Sequence, residues 1–249
     1  MAAPDITETF ILVHGAWHGG WGWRPVAARL EAAGHAVHAP TSPGLAPGDD
    51  PTGVGLEDAA DALVAYVERH DLRNLALVGH SWGGFLLSAA APRLARRVAR
   101  LVYINAFVPL AGESMVSLIP ERAAAMYAQR AAASVDNTTT VPLELWKAVF
   151  MQDAGAEAQE LVHSLLTPHP FSTLTDPAAD VDYAALGVPL AYVGSREDLA
   201  MVAPDAPWPP PFAERLPGRT FAEIGGSHAS ILTRPAEVAD ALLALMDEP

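Results

Sequence analysis

The sequence predicts an α/β protein whose core is a mostly parallel six-stranded sheet with helices on both faces. Short apolar runs alternate with longer segments of helical period along much of the 249 residues, which is typical of strands joined by crossover helices. No internal repeat or separating linker is visible, so one domain over residues 1–249 is expected. The predicted strands are Thr9–His14, Ala36–Ala39, Leu75–Gly79, Leu101–Asn105, Pro189–Gly194 and Thr220–Ile224.

Three segments between or after these strands have the pattern of amphipathic helices. The first, Pro25–Ala33, carries apolar residues at helical spacing and stops at Gly34, which suits a left-handed C-cap. The second, Leu56–Arg69, places its acidic residues on the face opposite its leucines and valines. The last, Pro235–Met246, begins with a proline in the first turn, where proline is tolerated. Helices in these connections favour a parallel sheet.

The alternation of short apolar runs with helical segments stops between residues 107 and 187. This stretch is rich in alanine and helical in composition, and it ends in a run punctuated by prolines. An insertion of this length between two strands predicts a helical cap over the carboxyl edge of the sheet, placed before the fifth strand.

Composition excludes several classes of function. The chain has no cysteine, so disulfides, thiolate catalysis and cysteine-ligated metals are ruled out. A formal charge of -14 disfavours nucleic acid and anionic membranes as partners. The start of the chain lacks a basic segment followed by an apolar run, and no apolar stretch is long enough to span a bilayer, which predicts a cytoplasmic location. We expect no cofactor and no metal.

The clearest chemical signal is the run Gly79-His80-Ser81-Trp82-Gly83. It lies directly after an apolar strand and directly before a helical segment. In this G-x-S-x-G pattern the chain turns sharply and exposes the serine, while the flanking glycines avoid clashes with neighbouring backbone. The context predicts that Ser81 is a nucleophile.

A serine hydroxyl needs a base, which in turn needs a carboxylate to orient it. His228 follows the last predicted strand in a glycine-rich turn and is the best candidate for the base. Glu197 and Asp198 both lie just past the fifth strand, and either could supply the carboxylate. The end of the fourth strand, where an acid could also stand, holds Asn105. The expected order of the catalytic residues is therefore serine, acid, histidine.

Acyl transfer also needs donors for the developing oxyanion. Backbone N–H groups of Ala16, in the loop after the first strand, and of Trp82, directly after the serine, are the predicted donors. His14 precedes that loop at a junction of strand and loop, where it is expected to fix the loop by hydrogen bonds rather than to bind metal.

Together these residues resemble the plant-type esterase and hydroxynitrile lyase branch of the α/β-hydrolases, which includes similar bacterial carboxylesterases and methylesterases. The resemblance rests on Phe10–Trp21, on Gly79–Gly84, on Leu166–Pro170 in the cap, and on His228 followed by a helix led by Pro235. It covers essentially the whole chain and implies the α/β-hydrolase fold.

The resemblance also separates the candidate activities. The spacing of the family favours Asp198 as the acid, with Glu197 as the alternative. Hydroxynitrile lyases of this branch carry threonine and lysine where this chain has Ala16 and Ala229, and the only lysine, Lys147, lies in the cap. An esterase is therefore expected rather than a lyase. An intact set of catalytic residues argues against a pure ligand-binding receptor of the same superfamily and leaves a slow one open.

The substrate is expected to lie between the catalytic loops and the cap. Trp17, Phe107, Trp146 and Phe150 are the candidate binding residues, and the resemblance places Trp146 over the ligand. They predict a small apolar or aromatic carboxylic ester that is cleaved through an acyl-enzyme. A lactonase or a carbon–carbon bond hydrolase with the same catalytic residues stays open as the alternative, and the protein could be a monomer or a homodimer.

Overall fold

The computed structural model describes residues 8–201 and 210–246, and six strands within them form one sheet. Their order is β2-β1-β3-β4-β7-β8, and every neighbouring pair is parallel. The predicted six-stranded sheet is therefore confirmed. The described strands are β1 Thr9–Val13, β2 Ala36–His38, β3 Leu75–His80, β4 Val98–Ile104, β5 Thr138–Thr139, β6 His169–Pro170, β7 Leu190–Ser195 and β8 Thr220–Ile224.

Helices follow most of the strands, and the three predicted helices are present with ends shifted by at most one residue. The α-helices are α1 Arg24–Ala32, α2 Leu56–Arg69, α3 Gly83–Ala90, α4 Met115–Leu118, α5 Glu121–Ala133, α6 Leu143–Leu145, α7 Ala156–Leu165, α8 Ser172–Thr175, α9 Ser230–Thr233 and α10 Pro235–Met246. Short 3₁₀ turns cover Gly20–Trp23 and Ala213–Arg215, and a π-helical turn covers Trp146–Phe150.

Helices cover both faces of the sheet. Successive residues of β1 point to opposite faces, so that Ile11 packs in a core with α2 and α3 while Phe10 packs in a core with α1 and α10. β3 alternates in the same way, with Leu77 on the first side and Val78 on the second. Burial on both faces explains why these strands have continuous apolar sequences.

Strand β4 begins earlier than its sequence predicts. The prediction started at Leu101, whereas the strand starts at Val98 and includes Arg100. The Arg100 guanidinium binds both carboxylate oxygens of Glu8 at 3.0 and 3.1 Å and also the carbonyl of Leu245. A charged residue interrupts an apolar run in the sequence, but here its charge is paired near the start of the strand.

The chain between β4 and β7 forms helices α4 to α8 and a small antiparallel pair, β5 with β6. The pair was not predicted, because strands of two residues are too short to show an alternating pattern. Two hydrogen bonds join this insertion to the loop after β1. The Trp17 indole N–H donates to the Thr139 carbonyl at 3.2 Å, and the Thr167 N–H donates to the Trp17 carbonyl at 2.8 Å.

No helix in residues 8–201 and 210–246 has the length and apolarity that crossing a membrane requires.

Candidate active site

Ser81 lies in the turn between β3 and α3, at the carboxyl edge of the sheet. Its backbone is left-handed, with a φ of 55°, a conformation that costs a residue with a Cβ about 1–2 kcal/mol. The Ser81 N–H donates to the carbonyls of Ile104 and Asn105 at 3.3 and 3.2 Å. These contacts hold the strained turn against the end of β4.

Two glycines after Ser81 let α3 approach the neighbouring backbone closely. A Cβ at Gly84 would lie 1.9 Å from the Phe107 carbonyl oxygen, and a Cβ at Gly83 would lie 2.8 Å from the carbonyl oxygens of Val13 and His14. Contacts this short are sterically impossible. Larger residues at these positions would therefore displace α3 and move Ser81.

His228 stands in the loop between β8 and α9, and its ring is hydrogen bonded to Asp198. The Asp198 Oδ2 atom lies 2.9 Å from His228 Nδ1, and both side chains are almost fully buried. The other carboxylate oxygen of Asp198 accepts hydrogen bonds from the N–H groups of Ala200 at 2.8 Å and Met201 at 3.1 Å. Three donors therefore compensate the buried carboxylate and fix its orientation.

Glu197, the alternative acid, has a different set of partners. Its carboxylate accepts a hydrogen bond from the Gly226 N–H, and its own N–H donates to the Gly226 carbonyl at 3.2 Å. Of the two carboxylates, Asp198 is the one bonded to the His228 ring. Glu197 ties the loop after β7 to the loop that carries His228.

Asn105, directly after β4, is hydrogen bonded to the backbone of His228 and to a neighbouring serine. Its side-chain NH₂ lies 3.3 Å from the His228 carbonyl, 3.1 Å from the Ser230 hydroxyl and 2.7 Å from the Ser195 hydroxyl. Its carbonyl oxygen accepts the Ser195 N–H at 2.7 Å. The sequence showed only that this position holds no acid; its bracing role depends on three distant segments meeting at one point.

The N–H groups of Ala16 and Trp82 have no hydrogen-bond acceptor among residues 8–201 and 210–246. Both residues are buried, at 3% and 0% exposure. The loop of Ala16 is held by His18, whose Nδ1 lies 2.8 Å from the Ala16 carbonyl, and Trp82 is held through its indole N–H, which donates to the Thr173 carbonyl at 3.1 Å. Two fixed backbone donors are thus free to bind a ligand oxygen.

Two further buried histidines support the loop after β1. The Ser42 N–H donates to His14 Nε2 at 3.0 Å, and His14 Nδ1 donates to the Gly15 carbonyl at 2.9 Å. The Trp17 N–H donates to His169 Nδ1 at 3.1 Å. The sequence predicted that His14 fixes this loop, and the structure adds His169, which the sequence analysis did not single out. The β5–β6 pair carries His169 into the core beside the loop.

These histidines are neutral because they are buried. Burial lowers the pKa of His14 and that of His18 to about 4. It also holds the pKa values of His80 and His169 well below the usual range. A charged imidazole in these positions would lose its hydration without gaining a carboxylate partner.

The free energy of unfolding is therefore expected to fall as the pH is lowered from about 6.5 to about 4. In this window the unfolded chain protonates these histidines and the folded chain does not, so acid favours unfolding by about 1.4 kcal/mol per pH unit for each histidine. Above this window they are neutral in both states and contribute no pH dependence. Urea midpoints measured from pH 7 to pH 4.5 test this; equal midpoints at pH 7 and pH 5 would contradict it.

A cavity of about 220 Å³, called here the substrate cavity, opens over Ser81 and His228. Within the described part of the chain its walls contain no Lys, Arg, Asp or Glu side chain. Three of the predicted binding residues, Trp17, Phe107 and Phe150, line it. The remaining walls are Met115, Ile119, Pro120, Ala123, Tyr127, Leu145, Val149, Leu199, Ala200 and Met201.

Trp146, the fourth predicted binding residue, lies outside the walls of the substrate cavity. It is fully buried and stacks on Phe150, with ring centroids 5.7 Å apart. The Phe150 ring meets the His228 ring edge to face at 5.4 Å, and the Phe150 carbonyl accepts the Ala229 N–H at 2.8 Å. Trp146 therefore supports the residue that contacts His228, and it borders a second, smaller cavity instead.

Comparison with known proteins agrees with this architecture. A sequence profile described as "Alpha/beta hydrolase family" matches residues 10–241. The carbendazim hydrolyzing esterase of Nocardioides sp. (strain SG-4G) is 43% identical over 114 residues, which span 45% of this chain and about half, 47%, of that protein. Esterase PIR7B of Oryza sativa subsp. japonica is 28% identical, with 96% of each chain covered.

Among solved structures, the fold is similar to that of an extracellular alpha/beta-hydrolase from a Paenibacillus species. That protein is described as sharing structural and functional homology with tobacco salicylic acid binding protein 2. The superposition has a TM-score of 0.88 at 26% sequence identity and covers 95% of this chain and 98% of that one.

Proposed function

The chain belongs to the alpha/beta hydrolase family and has the fold that its sequence resemblance implied, and from this premise we propose that it is a serine carboxylesterase. Ser81 is the nucleophile, His228 the base and Asp198 the acid that orients the base. The hydrogen bond of 2.9 Å between Asp198 and His228, beside a cavity that Ser81 shares, is the observation that carries the proposal. Residues 107–187 are its cap, within one domain.

In the proposed reaction Ser81 Oγ attacks the ester carbonyl while His228 Nε2 takes its proton. Asp198 accepts the Nδ1–H of His228 and stabilises the imidazolium. The N–H groups of Ala16 and Trp82 bind the oxyanion of the tetrahedral intermediate. His228 then protonates the leaving alcohol, and water releases the acid from the acyl-enzyme.

Ser81 and His228 have no hydrogen bond to each other in the structure, although both border the same cavity. Contacts between nucleophile and base are often loose before substrate binds. An organophosphonate should therefore label the protein once, and peptide mass mapping should locate the adduct on Ser81. Failure to label, or an adduct elsewhere, would overturn the proposal.

The substrate cavity supports an uncharged ester with an apolar or aromatic acyl group. Apolar and aromatic side chains make up most of its walls, and burying a charge there would leave that charge without a partner. Cyanohydrin cleavage has less support, because the only lysine, Lys147, does not border the cavity. Its Nζ atom is paired with Glu160 Oε1 of the cap at 2.7 Å.

A neutral acyl group should be preferred strongly over a charged one of the same size. The p-nitrophenyl esters of levulinic acid and succinic acid differ mainly in a terminal methyl ketone against a carboxylate. We expect kcat/KM to be about 100-fold higher for the levulinate, because an unpaired buried carboxylate costs several kcal/mol. Rates corrected for spontaneous hydrolysis provide the test, and equal values would contradict an uncharged cavity.

A further inference from the structure

A second cavity, called here the small cavity, also borders Ser81 and His228. Its volume is about 10 Å³, close to the minimum that a single water needs. Besides the two proposed catalytic residues, it is bordered by Gly15, Ala16, Trp17 and Phe150, and also by His18, His80 and Trp146. The substrate cavity is lined by none of these three side chains.

Each of these three residues has one buried nitrogen without a hydrogen-bond partner in the described part of the chain. The atoms are His18 Nε2, His80 Nδ1 and Trp146 Nε1. A buried polar atom left unsatisfied costs about 1–3 kcal/mol, and most such atoms bind protein or an ordered water. Three of them around one cavity indicate a site for a polar ligand.

In each histidine, the hydrogen bond made by one ring nitrogen determines whether the other ring nitrogen is a donor or an acceptor. His18 Nδ1 lies 2.8 Å from the Ala16 carbonyl, and His80 Nε2 lies 2.9 Å from the His228 carbonyl. Both of these nitrogens must carry the proton, because a carbonyl oxygen only accepts. Burial keeps both rings neutral by lowering their pKa values. His18 Nε2 and His80 Nδ1 are therefore acceptors, while Trp146 Nε1 is a donor.

Two acceptors and one donor around a space for one small molecule are complementary to water, which donates two hydrogen bonds and accepts up to two. His18 Nε2 and His80 Nδ1 present lone pairs, so they favour a neutral ligand that can donate hydrogen bonds to both. We propose that the small cavity binds the water that hydrolyses the acyl-enzyme, held by His18, His80 and Trp146. This inference rests on the proposed esterase function and deepens it.

In the hydrolytic step the water oxygen attacks the carbonyl carbon of the acyl group on Ser81. One O–H turns from His80 to His228, whose ring centroid lies 4.8 Å from that of His80. His228 Nε2 takes this proton and then gives it to Ser81 Oγ as the bond between that oxygen and the acyl carbon breaks. The products are the free acid and the unmodified serine, so His18 and His80 act as positioning residues.

Two substitutions remove one acceptor each and keep the neighbouring hydrogen bond. His18→Asn retains an amide N–H near the place of Nδ1, and His80→Gln retains one near the place of Nε2. We expect each to slow deacylation about five- to tenfold, the effect of losing one hydrogen bond to the water, with acylation changed less than twofold. In rapid-mixing kinetics with p-nitrophenyl acetate, the initial burst measures acylation and the following steady-state rate measures deacylation.

The double variant should slow deacylation by less than the product of the two single effects, because both side chains bind the same water. His163→Gln is the matched control: His163 Nε2 lies 2.9 Å from the Val141 carbonyl, and the residue does not border the small cavity. It should deacylate like the wild type. Wild-type deacylation in both single variants would overturn the inference.

A high-resolution crystal structure supplies an independent test. It should show a water bridging His18 Nε2, His80 Nδ1 and Trp146 Nε1, and a cavity without electron density would overturn the inference while leaving the esterase proposal standing. If the wild-type protein shows neither a burst nor a phosphonate adduct on Ser81, the esterase proposal itself fails, and the inference fails with it.

Discussion

Replacing Ser81 by alanine is expected to lower kcat for ester hydrolysis by about 10⁵- to 10⁶-fold, the loss typical when a serine hydrolase loses its nucleophile. Without Oγ no acyl-enzyme can form. The residual rate then depends on the N–H donors of Ala16 and Trp82 and on substrate binding alone. Steady-state kinetics with p-nitrophenyl butyrate, together with phosphonate labelling followed by intact mass, would measure both effects.

The fold should survive this substitution, since Ser81 Oγ is a small group that borders the substrate cavity. Ser164→Ala is the control: it removes an exposed hydroxyl of the cap whose one hydrogen bond within residues 8–201 and 210–246 is to the Leu161 carbonyl. Its activity should match the wild type. Substantial turnover by Ser81→Ala, with a normal circular dichroism spectrum, would show that another residue carries the reaction.

Replacing Asp198 by asparagine is expected to lower kcat about 10⁴-fold, as loss of the orienting carboxylate does in other enzymes with this arrangement. An asparagine NH₂ group facing His228 Nδ1 would favour the tautomer with the proton on Nε2. That nitrogen could then no longer accept the proton of Ser81. The substitution removes a buried charge and keeps the shape, so a large loss of stability is not expected.

Glu197→Gln is the matched comparison, because it makes the same exchange at the neighbouring residue. A glutamine carbonyl can still accept the Gly226 N–H that Glu197 binds. We expect less than about a tenfold loss of kcat, in line with the weakening of one charge-assisted hydrogen bond. A larger loss in Glu197→Gln than in Asp198→Asn would identify Glu197 as the acid.

Much of the architecture was predictable because strands and helices leave local patterns in the sequence. Apolar runs identified all six strands of the sheet, and the turn that carries Ser81 was identified by its glycines. The predicted start of one strand was wrong because a charged residue in it is paired with groups that are distant in the sequence. Strand β4 contains Arg100, which is acceptable in a strand only because Glu8 and the Leu245 carbonyl bind it.

The candidate site also depends partly on residue spacing along the chain and partly on contacts between distant segments. Glu197 and Asp198 lie in one loop, and the spacing of the family favoured Asp198, but the sequence does not show which side chain turns toward His228. Asp198 does so because two N–H groups of its own loop hold its second oxygen, whereas Glu197 is bound by Gly226. Trp146 was expected over the ligand. In the fold it stacks on Phe150 and does not border the substrate cavity.

By itself, then, the sequence determined the sheet, the sharp turn at Ser81 and the set of residues from which a hydrolase can be built, since these depend on neighbours along the chain. Only the tertiary structure decided which of them meet. Trp17 and His169 are separated by 152 residues and yet share a buried hydrogen bond. Burial makes such partners obligatory, because a polar group removed from water must find its hydrogen bond inside the protein.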